Sequence, residues 1–339
     1  MKNIRFIHIS IPFFLILAIF LTGCTLNSNN SPISPINSQN NDNNSQDEDI
    51  APVTKDNQIF WHLKDIPADI SETDLDFIAT SGYTILMPEW GIDDVSVPDV
   101  INLLDRLEQR NIKIVLDAGF TAAAWDINSN IKEKEDGEHS SFWLPKKVES
   151  WVSALKTHPA VYGWDISNEA GENMIEDETF RITLDQLRTA STDVRSFDNT
   201  HPIIIRMHYW DEYDGDFNGL NPFDKGIADI VVLNLYSNYS NDGKKVLLPH
   251  MIKDSAQILE SKIRSVDPDV DIWLSLSAYA EPPMFLKPTP SDLDRDIKAS
   301  FDLKGFKSIG FFGWGSPDND WYLPRDGFDL LEVINKNIN

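Results

Sequence analysis

Residues 251–277 read MIKDSAQILESKIRSVDPDVDIWLSLS. The first part, Met251 to Ser265, has the spacing of a helix, and the last part, Asp271 to Ser277, is a short apolar run typical of a strand. The same alternation of helical segments and short β-rich runs continues from about Ile59 to the C-terminus. This pattern is typical of a parallel sheet with crossover helices.

The alternation contains eight candidate strands, which are Gln58 to His62, Tyr83 to Met87, Ile112 to Asp117, Val161 to Ser167, Pro202 to His208, Asp229 to Leu235, Asp271 to Ser277 and Ser308 to Gly313. Helices are predicted at Glu72 to Thr80, Pro98 to Gln109, Lys146 to Lys156, Thr179 to Arg195, Met251 to Ser265, Ser291 to Phe301 and Gly327 to Asn335. Ser291 followed by Asp294 indicates a variant capping box. Eight parallel strands close most economically as a barrel, because an open sheet would leave two edges to protect. The sequence therefore predicts an α/β fold, a (β/α)8 TIM barrel over residues 57–339, with its chemistry at the carboxyl ends of the strands.

The first 23 residues have the composition of a bacterial signal peptide. Lys2 and Arg5 precede an apolar stretch from Ile11 to Leu21, which is shorter than the roughly twenty residues of a membrane-spanning helix. Leu21-Thr22-Gly23-Cys24 resembles the lipobox, which implies cleavage before Cys24 and lipid attachment to its thiol. We therefore expect a protein held by lipid on the extracytoplasmic side of the cell envelope, with an uncleaved anchor as the alternative.

Residues 24–56 are mostly Asn, Ser, Pro, Gln and Asp, so they are predicted to form a disordered tether without a core. The full chain carries 29 Lys and Arg against 54 Asp and Glu. Removal of the leader with Lys2 and Arg5 leaves 27 cations against 54 acids, a net charge of −27. Such a charge repels phosphate backbones, so nucleic acid is not expected as a partner. Cys24 is the only cysteine, which excludes an internal disulfide framework.

The strand that carries the most chemical information is the fourth. Residues 162–169 read Tyr-Gly-Trp-Asp-Ile-Ser-Asn-Glu, a largely apolar run that ends in an amide and a carboxylate. Hydrolysis of a glycosidic bond needs a carboxylic acid near the leaving oxygen, and a neighbouring amide can bond a sugar hydroxyl as charge develops. Glu169 is therefore the candidate general acid/base and Asn168 a candidate substrate ligand, with a solvated loop pair as the alternative.

With Asn168-Glu169 after Gly163-Trp164, the chain resembles clan A glycoside hydrolases, a group that includes many cellulases, mannanases and β-galactosidases. The resemblance extends in strand order from about Ile59 to the C-terminus, but in residue identity it covers only a few positions. It implies a carbohydrate substrate and an active site at the carboxyl ends of the strands.

The resemblance also assigns substrate contacts to residues at other strand ends. His208 and Tyr209 close the fifth strand and Tyr236 follows the sixth, where the family holds a His and a Tyr near the nucleophile. Trp314 follows the eighth strand, where the family has a Trp as the floor under the cleaved sugar, and an indole face suits sugar C–H groups. A structural His and a core Trp are the alternatives at these positions.

The family's nucleophile, a Glu at the end of the seventh strand, has no counterpart at that place. The strand ends in Ser275-Leu276-Ser277, and the nearest acid is Glu281. Glu281 is therefore the provisional nucleophile, and Glu89 after the second strand or Asp117 after the third could replace it, bind sugar or form a buried structural contact. A carboxyl pair about 5 Å apart would indicate retention of configuration, and a wider gap inversion.

The histidines are scattered, without His-x-His or His-Glu-x-x-His, and there is no Gly-rich phosphate loop, so we expect neither a metal nor a nucleotide cofactor. The sequence predicts a lipid-anchored glycoside hydrolase that acts on a β-linked polysaccharide or oligosaccharide. Two alternatives stay open: a carbohydrate-binding barrel without a nucleophile, and a surface barrel for attachment or scaffolding.

Overall fold

The computed structural model describes residues 58–63, 70–88, 95–118, 143, 145–168, 173–175, 178–180, 182, 184–208, 223–238, 240–241, 244–245, 251–283, 285–318 and 320–338. All of these residues belong to one compact unit, residues 50–339. The predicted signal peptide, Cys24 and the predicted tether lie outside the described residues.

The strands are β1 Gln58–Leu63, β2 Ile85–Pro88, β3 Lys113–Asp117, β4 Val161–Asn168, β5 Asn173–Ile175, β6 Glu178–Phe180, β7 Ile203–His208, β8 Ile230–Leu235, β9 Ser240–Asn241, β10 Lys244–Lys245, β11 Asp271–Ser277 and β12 Phe306–Phe312. Eight of them form a closed parallel barrel in the order β1-β12-β11-β8-β7-β4-β3-β2. The pairing of β1 with β12 closes the sheet, with Phe60 in register with Gly310. The predicted (β/α)8 barrel and its eight strands are confirmed, with strand ends shifted by a few residues at most.

The helices are α1 Glu72–Thr80, α2 Val97–Glu108, α3 Pro145–Leu155, α4 Leu184–Phe197, α5 Met251–Val266, α6 Pro290–Phe301, α7 Leu323–Asp326 and α8 Phe328–Ile338. Seven of them correspond to predicted helices, and the short α7 was not predicted. The N-caps of α1 and α2 are Ser71 and Ser96, whose hydroxyls accept from Asp74 N and Asp99 N. Among the described residues, no helix combines the length and the apolar character needed to cross a bilayer.

The predicted capping box at Ser291 was wrong. The helix begins at Pro290, and its N-cap is Thr289, whose hydroxyl accepts from Asp292 N at 3.1 Å. Proline is favoured in the first helical turn because its fixed φ is already helical and its missing N–H would have had no helical partner. The cap is therefore the residue before Pro290, and Ser291 lies inside the first turn.

The predicted start of the fourth helix was also wrong. The helix was expected from Thr179, but α4 begins at Leu184. Residues Glu178–Phe180 instead form strand β6, which pairs antiparallel with β5. β-Branched and aromatic residues such as Thr179 and Phe180 favour a strand when a partner strand is available. The helical spacing of apolar residues in the sequence gives no information about that partner strand.

In the described part of the chain, two apolar clusters lie on the two sides of the barrel wall. An apolar interior cluster lies inside the barrel and consists of Phe60, Ile85, Met87, Val115, Ile204, Ile230, Val232 and Trp273. The larger core lies between the strands and the helices and includes the neighbouring strand residues Leu86, Ile203 and Val231. Successive residues of a strand point to opposite faces, so these apolar strands supply both cores. The apolar interior cluster leaves the carboxyl ends of the strands as the expected place for chemistry.

Candidate active site

The fourth barrel strand, β4, ends at Asn168, immediately before Glu169. Its register shifts against β3 between Ile114 and Val115 and against β7 between Asp165 and Ser167. Near its start, Gly163 lies so close to β7 that a Cβ would stand 2.5 Å from Ile204 Cδ1 and 2.7 Å from the Pro202 carbonyl oxygen. Near its end, a bulge inserts Ile166 between the pairs Asp165–Ile204 and Ser167–Ile205. The bulge brings Asn168 into register with Arg206 of β7.

Asp165 makes hydrogen bonds on both sides of this bulge. Its Oδ1 accepts from the Ser167 backbone N–H at 3.1 Å, and its Oδ2 accepts from Arg206 Nε at 2.6 Å. The Asp165 and Arg206 side chains are 3% and 0% exposed. A buried ion pair with added hydrogen bonds tolerates loss of one partner poorly, because the other charge is then left in the interior.

The Asp165–Arg206 pair belongs to a polar layer, which consists of Asp117, Asp165, Arg206, Asn234 and Ser275, all buried. Four of these residues follow an apolar interior residue by two positions, as Arg206 follows Ile204 and Asn234 follows Val232. They therefore share its face and lie nearer the carboxyl end of the strand. Of this layer, only Asp117 is a candidate site residue by sequence. A charged residue inside the apolar run Ile-Ile-Ile-Arg-Met was the signal that could have revealed Arg206.

The provisional nucleophile Glu281 lies in a tight hairpin four residues beyond β11. Glu281 N donates to the Phe285 carbonyl at 2.8 Å, and Phe285 N donates to the Glu281 carbonyl at 3.0 Å. The Glu281 side chain is exposed, and its Oε2 accepts from the Tyr279 hydroxyl at 2.6 Å. The carboxylate is thus held in one orientation while it stays accessible from solvent.

Asn238 ties this hairpin to the end of β8. Its Nδ2 donates to the carbonyls of Tyr279 and Leu286, at 2.7 and 2.8 Å, and its own carbonyl accepts from Leu286 N at 3.0 Å. Asn238 itself is fully buried. The three bonds fasten both ends of the hairpin, so Glu281 is carried by a well-anchored loop at the carboxyl ends of β8 and β11.

Tyr236 is the centre of an aromatic cluster beside this hairpin. Its ring stacks on Phe312 with centroids 5.2 Å apart, and it meets Phe285 edge-on at 6.0 Å. Tyr279 completes the cluster with an edge contact of 5.1 Å to Phe312. Tyr236 is 8% exposed, so most of its ring packs against the protein. The structure thus joins three strand ends, those of β8, β11 and β12, through aromatic contacts.

Trp314 does not lie where the resemblance implied. Its side chain is fully buried, with an edge contact of 5.2 Å to Trp61 and a tilted contact of 5.8 Å to Phe77 of α1. It therefore belongs to the core between strands and helices, and a fully buried indole presents no face to a sugar. The chain reverses its alternation at Gly313, which has φ 106° and whose added Cβ would stand 2.4 Å from Tyr279 Cβ.

The remaining predicted site residues lie at the ends of the strands or just beyond them in the chain. Glu169, Tyr209 and Glu89 lie outside the described residues. Asn168 and His208 are described by their backbone as the last residues of β4 and β7, and His208 is in register with Asn234. Asp117, the last residue of β3, is in register with Asp165 and 1% exposed, so it is buried in the polar layer rather than open to solvent.

Two carboxyl groups near the barrel strands have shifted pKa values of opposite direction. Burial raises the pKa of Asp296, which accepts from Ser237 just beyond β8. For Asp198, burial also acts to raise the pKa, but hydrogen bonds from Thr200, Trp164 and His201 outweigh it and hold the pKa well below the usual range. Asp198 contacts the outer face of β4 through Trp164 Nε1, at 2.9 Å.

Within the described part of the chain, one group of metal-ligand side chains comes together: Asp105, Glu108 and His158, on the outer surface. His158 Nδ1 accepts from Ala160 N at 3.2 Å, so the neutral ring carries its proton on Nε2, which lies 3.2 Å from Asp105 Oδ1. A protonated Nε2 donates a hydrogen bond and has no lone pair for a metal. His158 lies three residues before the start of β4, at the opposite end of this strand from Asn168, and the hydrogen bond explains the group.

No protein-family model matches the chain, and no curated protein matches it. Solved structures do match. An endoglucanase from Pseudomonas stutzeri in complex with cellobiose aligns with a TM-score of 0.55 and 15% identity over 82% of this chain and 92% of that one. A xylanase from Thermotoga maritima aligns with a TM-score of 0.51 and 13% identity over 84% of this chain and 96% of that one.

A β-galacturonidase from Eisenbergiella tayi bound to galacturonate aligns with a TM-score of 0.54 and 14% identity, over 85% of this chain and 51% of that one. The present chain thus spans about half the length of that enzyme. The three neighbours are clan A glycoside hydrolases with an eight-stranded parallel barrel. At these identities the similarity establishes a shared fold.

Proposed function

We propose that the protein hydrolyses O-glycosidic bonds in a β-linked polysaccharide or oligosaccharide, with Glu169 as the general acid/base. The observation that carries the proposal is the end of β4, where a bulged strand of a closed barrel terminates at Asn168 directly before Glu169. In this fold the carboxyl ends of the strands carry the chemistry. The structural neighbours, which share the barrel and act on or bind sugars by name, support the same reaction class.

Glu281 is the proposed nucleophile. The support is the anchored hairpin, in which Asn238 fixes the backbone and the Tyr279 hydroxyl orients the carboxylate. A nucleophilic carboxylate must hold one geometry against the anomeric carbon, and such preorganisation is what these bonds supply. Separation of the Glu169 and Glu281 carboxyl groups by about 5 Å would give retention.

The test of this assignment begins with a panel of β-linked glycans and the purified wild-type protein. On a hydrolysed substrate, Glu169→Gln should lower kcat by about 10²- to 10⁴-fold, because the amide has no transferable proton. Glu149→Gln, an exposed change on α3, is the matched control and should leave kcat unchanged. Full activity of Glu169→Gln on the same substrate would refute the role of Glu169.

A second candidate is a barrel that binds carbohydrate without cleaving it. The observation in its favour is the end of β11, which reads Ser275-Leu276-Ser277 and supplies no carboxylate, while Glu281 lies on a surface hairpin. Calorimetric binding of a glycan with no released reducing ends over long incubation would favour this candidate. Loss of hydrolysis in both Glu169→Gln and Glu281→Gln, with binding retained, would favour the enzyme.

The Cys24 lipid anchor is part of the proposal and concerns location rather than chemistry. The supporting observation is the sequence Leu21-Thr22-Gly23-Cys24 after an apolar leader. In a bacterial host, the wild-type protein should fractionate with membranes and incorporate a labelled fatty acid. Cys24→Ala should remove the label, and a wild-type protein without any label would refute lipidation.

A further inference from the structure

We propose that Asp165 is a positioning residue for Glu169, and that it acts through the β4 bulge. Its carboxylate holds the bulge that determines which residue at the end of β4 is in register with the interior position of Arg206. This role rests on the proposed function, because the position of Glu169 matters to a reaction only if the protein is a glycosidase.

The register between β4 and β7 shows what the bulge changes. Asp165 is in register with Ile204, Ile166 is passed over, and Ser167 is in register with Ile205. Without the extra residue, Ser167 instead of Asn168 would be in register with Arg206. A slip of one residue moves every following side chain of a strand to the opposite face. Ser167 would then take the place of Asn168 against β7, and Glu169 follows Asn168 directly in the chain.

A single carboxylate maintains this arrangement. Asp165 Oδ1 accepts from Ser167 N, the first backbone donor after the bulged residue, and Oδ2 accepts from Arg206 Nε on the neighbouring strand. Both side chains are almost completely buried. Water cannot easily replace the lost acceptor at such a site, so removal of the carboxylate costs the Ser167 N–H this hydrogen bond and favours the regular register.

On its other side, β4 pairs with β3, whose register shifts once between Ile114 and Val115. Leu116 and Asp117 of β3 are in register with Trp164 and Asp165, and Ala118 N donates to the Asp165 carbonyl at 2.7 Å. The pairing with β3 thus ends at Asp165, before Ile166, and the bulge at Ile166 lies against β7, where the Asp165 carboxylate bonds Arg206. Bulges near active sites commonly re-aim side chains in this way.

The experiment separates the acceptor at residue 165 from the buried charge. Two double variants both neutralise Arg206: Asp165→Asn with Arg206→Met keeps an oxygen acceptor for Ser167 N, and Asp165→Leu with Arg206→Met removes it. Asp198→Asn is the control, since Asp198 is buried against the outer face of β4 through Trp164. The measurements are kcat, KM, Tm, amide exchange at Ser167 and a crystal structure of each variant.

The leucine variant should lose about a hundredfold in kcat, with KM little changed, because a displaced catalytic group lowers transition-state stabilisation more than substrate binding. Its crystal structure should show Ser167, not Asn168, in register with residue 206. The asparagine variant should keep the native register and most of kcat. Asp198→Asn should lower Tm without changing kcat. If the leucine variant does not fold, Asp165→Ala with Arg206→Met makes the same comparison.

Native kcat and native register in the variant without an acceptor would overturn the positioning role, even if Glu169→Gln had abolished activity. A wild-type protein that hydrolyses no glycan would instead overturn the proposed function. In that case the register and the exchange of the Ser167 amide still decide whether Asp165 holds the bulge. The two failures are therefore distinguishable.

Discussion

The apolar interior cluster and the polar layer occupy the same barrel, and both are buried, yet they are built from opposite kinds of side chain. Ile204 and Arg206 show the contrast within one strand, since both face the interior two residues apart. The apolar cluster fills space and gains stability from burial. The polar layer requires specific partners, and in return it fixes the backbone next to the rim.

The two regions should tolerate side-chain substitutions differently. An apolar side chain in the interior has many interchangeable contacts, so a smaller side chain loses only part of them. Asp165 has two directed bonds, and each ties a different piece of backbone or strand in place. Substitutions in the two regions should therefore lower the free energy of unfolding by different amounts. Only those in the polar layer should alter the site.

The largest loss of stability is expected for Arg206→Met alone. It leaves the Asp165 carboxylate buried without its cation, and breaking such a pair costs about 3–5 kcal/mol of unfolding free energy. Denaturant unfolding measures the loss. Addition of Asp165→Asn should restore most of it, because the unpaired charge is gone. An equal loss in the single and double variants would show that the ion pair is not the cause.

An intermediate loss of unfolding free energy is expected for Asp198→Ala. Asp198 follows α4 and contacts the outer face of β4 through Trp164. This change leaves the buried Trp164 Nε1 without its acceptor, at a cost of about 1–3 kcal/mol. Because Trp164 belongs to the core outside the barrel, kcat on any substrate found should be unchanged. A fall in kcat comparable to that of a polar-layer variant would show that contacts on the outer face of β4 also affect the site.

The same carboxyl group predicts a pH dependence. Hydrogen bonds hold the pKa of Asp198 below its unfolded value of about 3.9. Its contribution to stability is therefore complete above that value and is lost as the pH falls toward the lowered folded-state pKa. The difference in unfolding free energy between wild type and Asp198→Ala should shrink below about pH 4. A difference that is constant from neutral to acid pH would contradict this assignment.

The smallest effect is expected for Ile204→Val in the apolar interior cluster. Loss of one buried methylene group costs about 0.5–1.5 kcal/mol. The β4 bulge and its hydrogen bonds do not involve the Ile204 side chain chemically, so the amide exchange of Ser167 should stay at the wild-type rate. Faster exchange in this variant would indicate that packing, and not the Asp165 carboxylate, holds the bulge.

Much of the architecture follows from the order of residues along the chain. Eight apolar runs separated by helical segments predicted eight parallel strands, and the structure contains all eight in one closed barrel. Local signals were less reliable. The start of α4 depended on a partner strand for Glu178–Phe180, and the cap of α6 depended on Pro290.

The sequence predicted where the candidate site lies in the fold. It did not predict the contacts within the site. The position of Asn168 at the end of β4 could be inferred, because strand order and strand ends are local in sequence. The sequence did not predict the polar layer around Arg206 or the hydrogen bonds by which Asn238 fastens the hairpin that carries Glu281. Each joins residues from different strands or loops, and a single run of sequence does not contain such contacts.

Strand order and barrel closure thus follow from the sequence itself, because they depend on hydrophobic spacing along the chain, whereas the strand ends shifted by up to a few residues. The face that a side chain takes was decided only by the tertiary structure. Trp314 is directed into the outer core after Gly313, and Asn168 is brought into register with Arg206 by the bulge at Ile166. Alternation along a strand has a period of two, so one inserted or distorted residue reverses the assignment, and only the neighbouring strand reveals it.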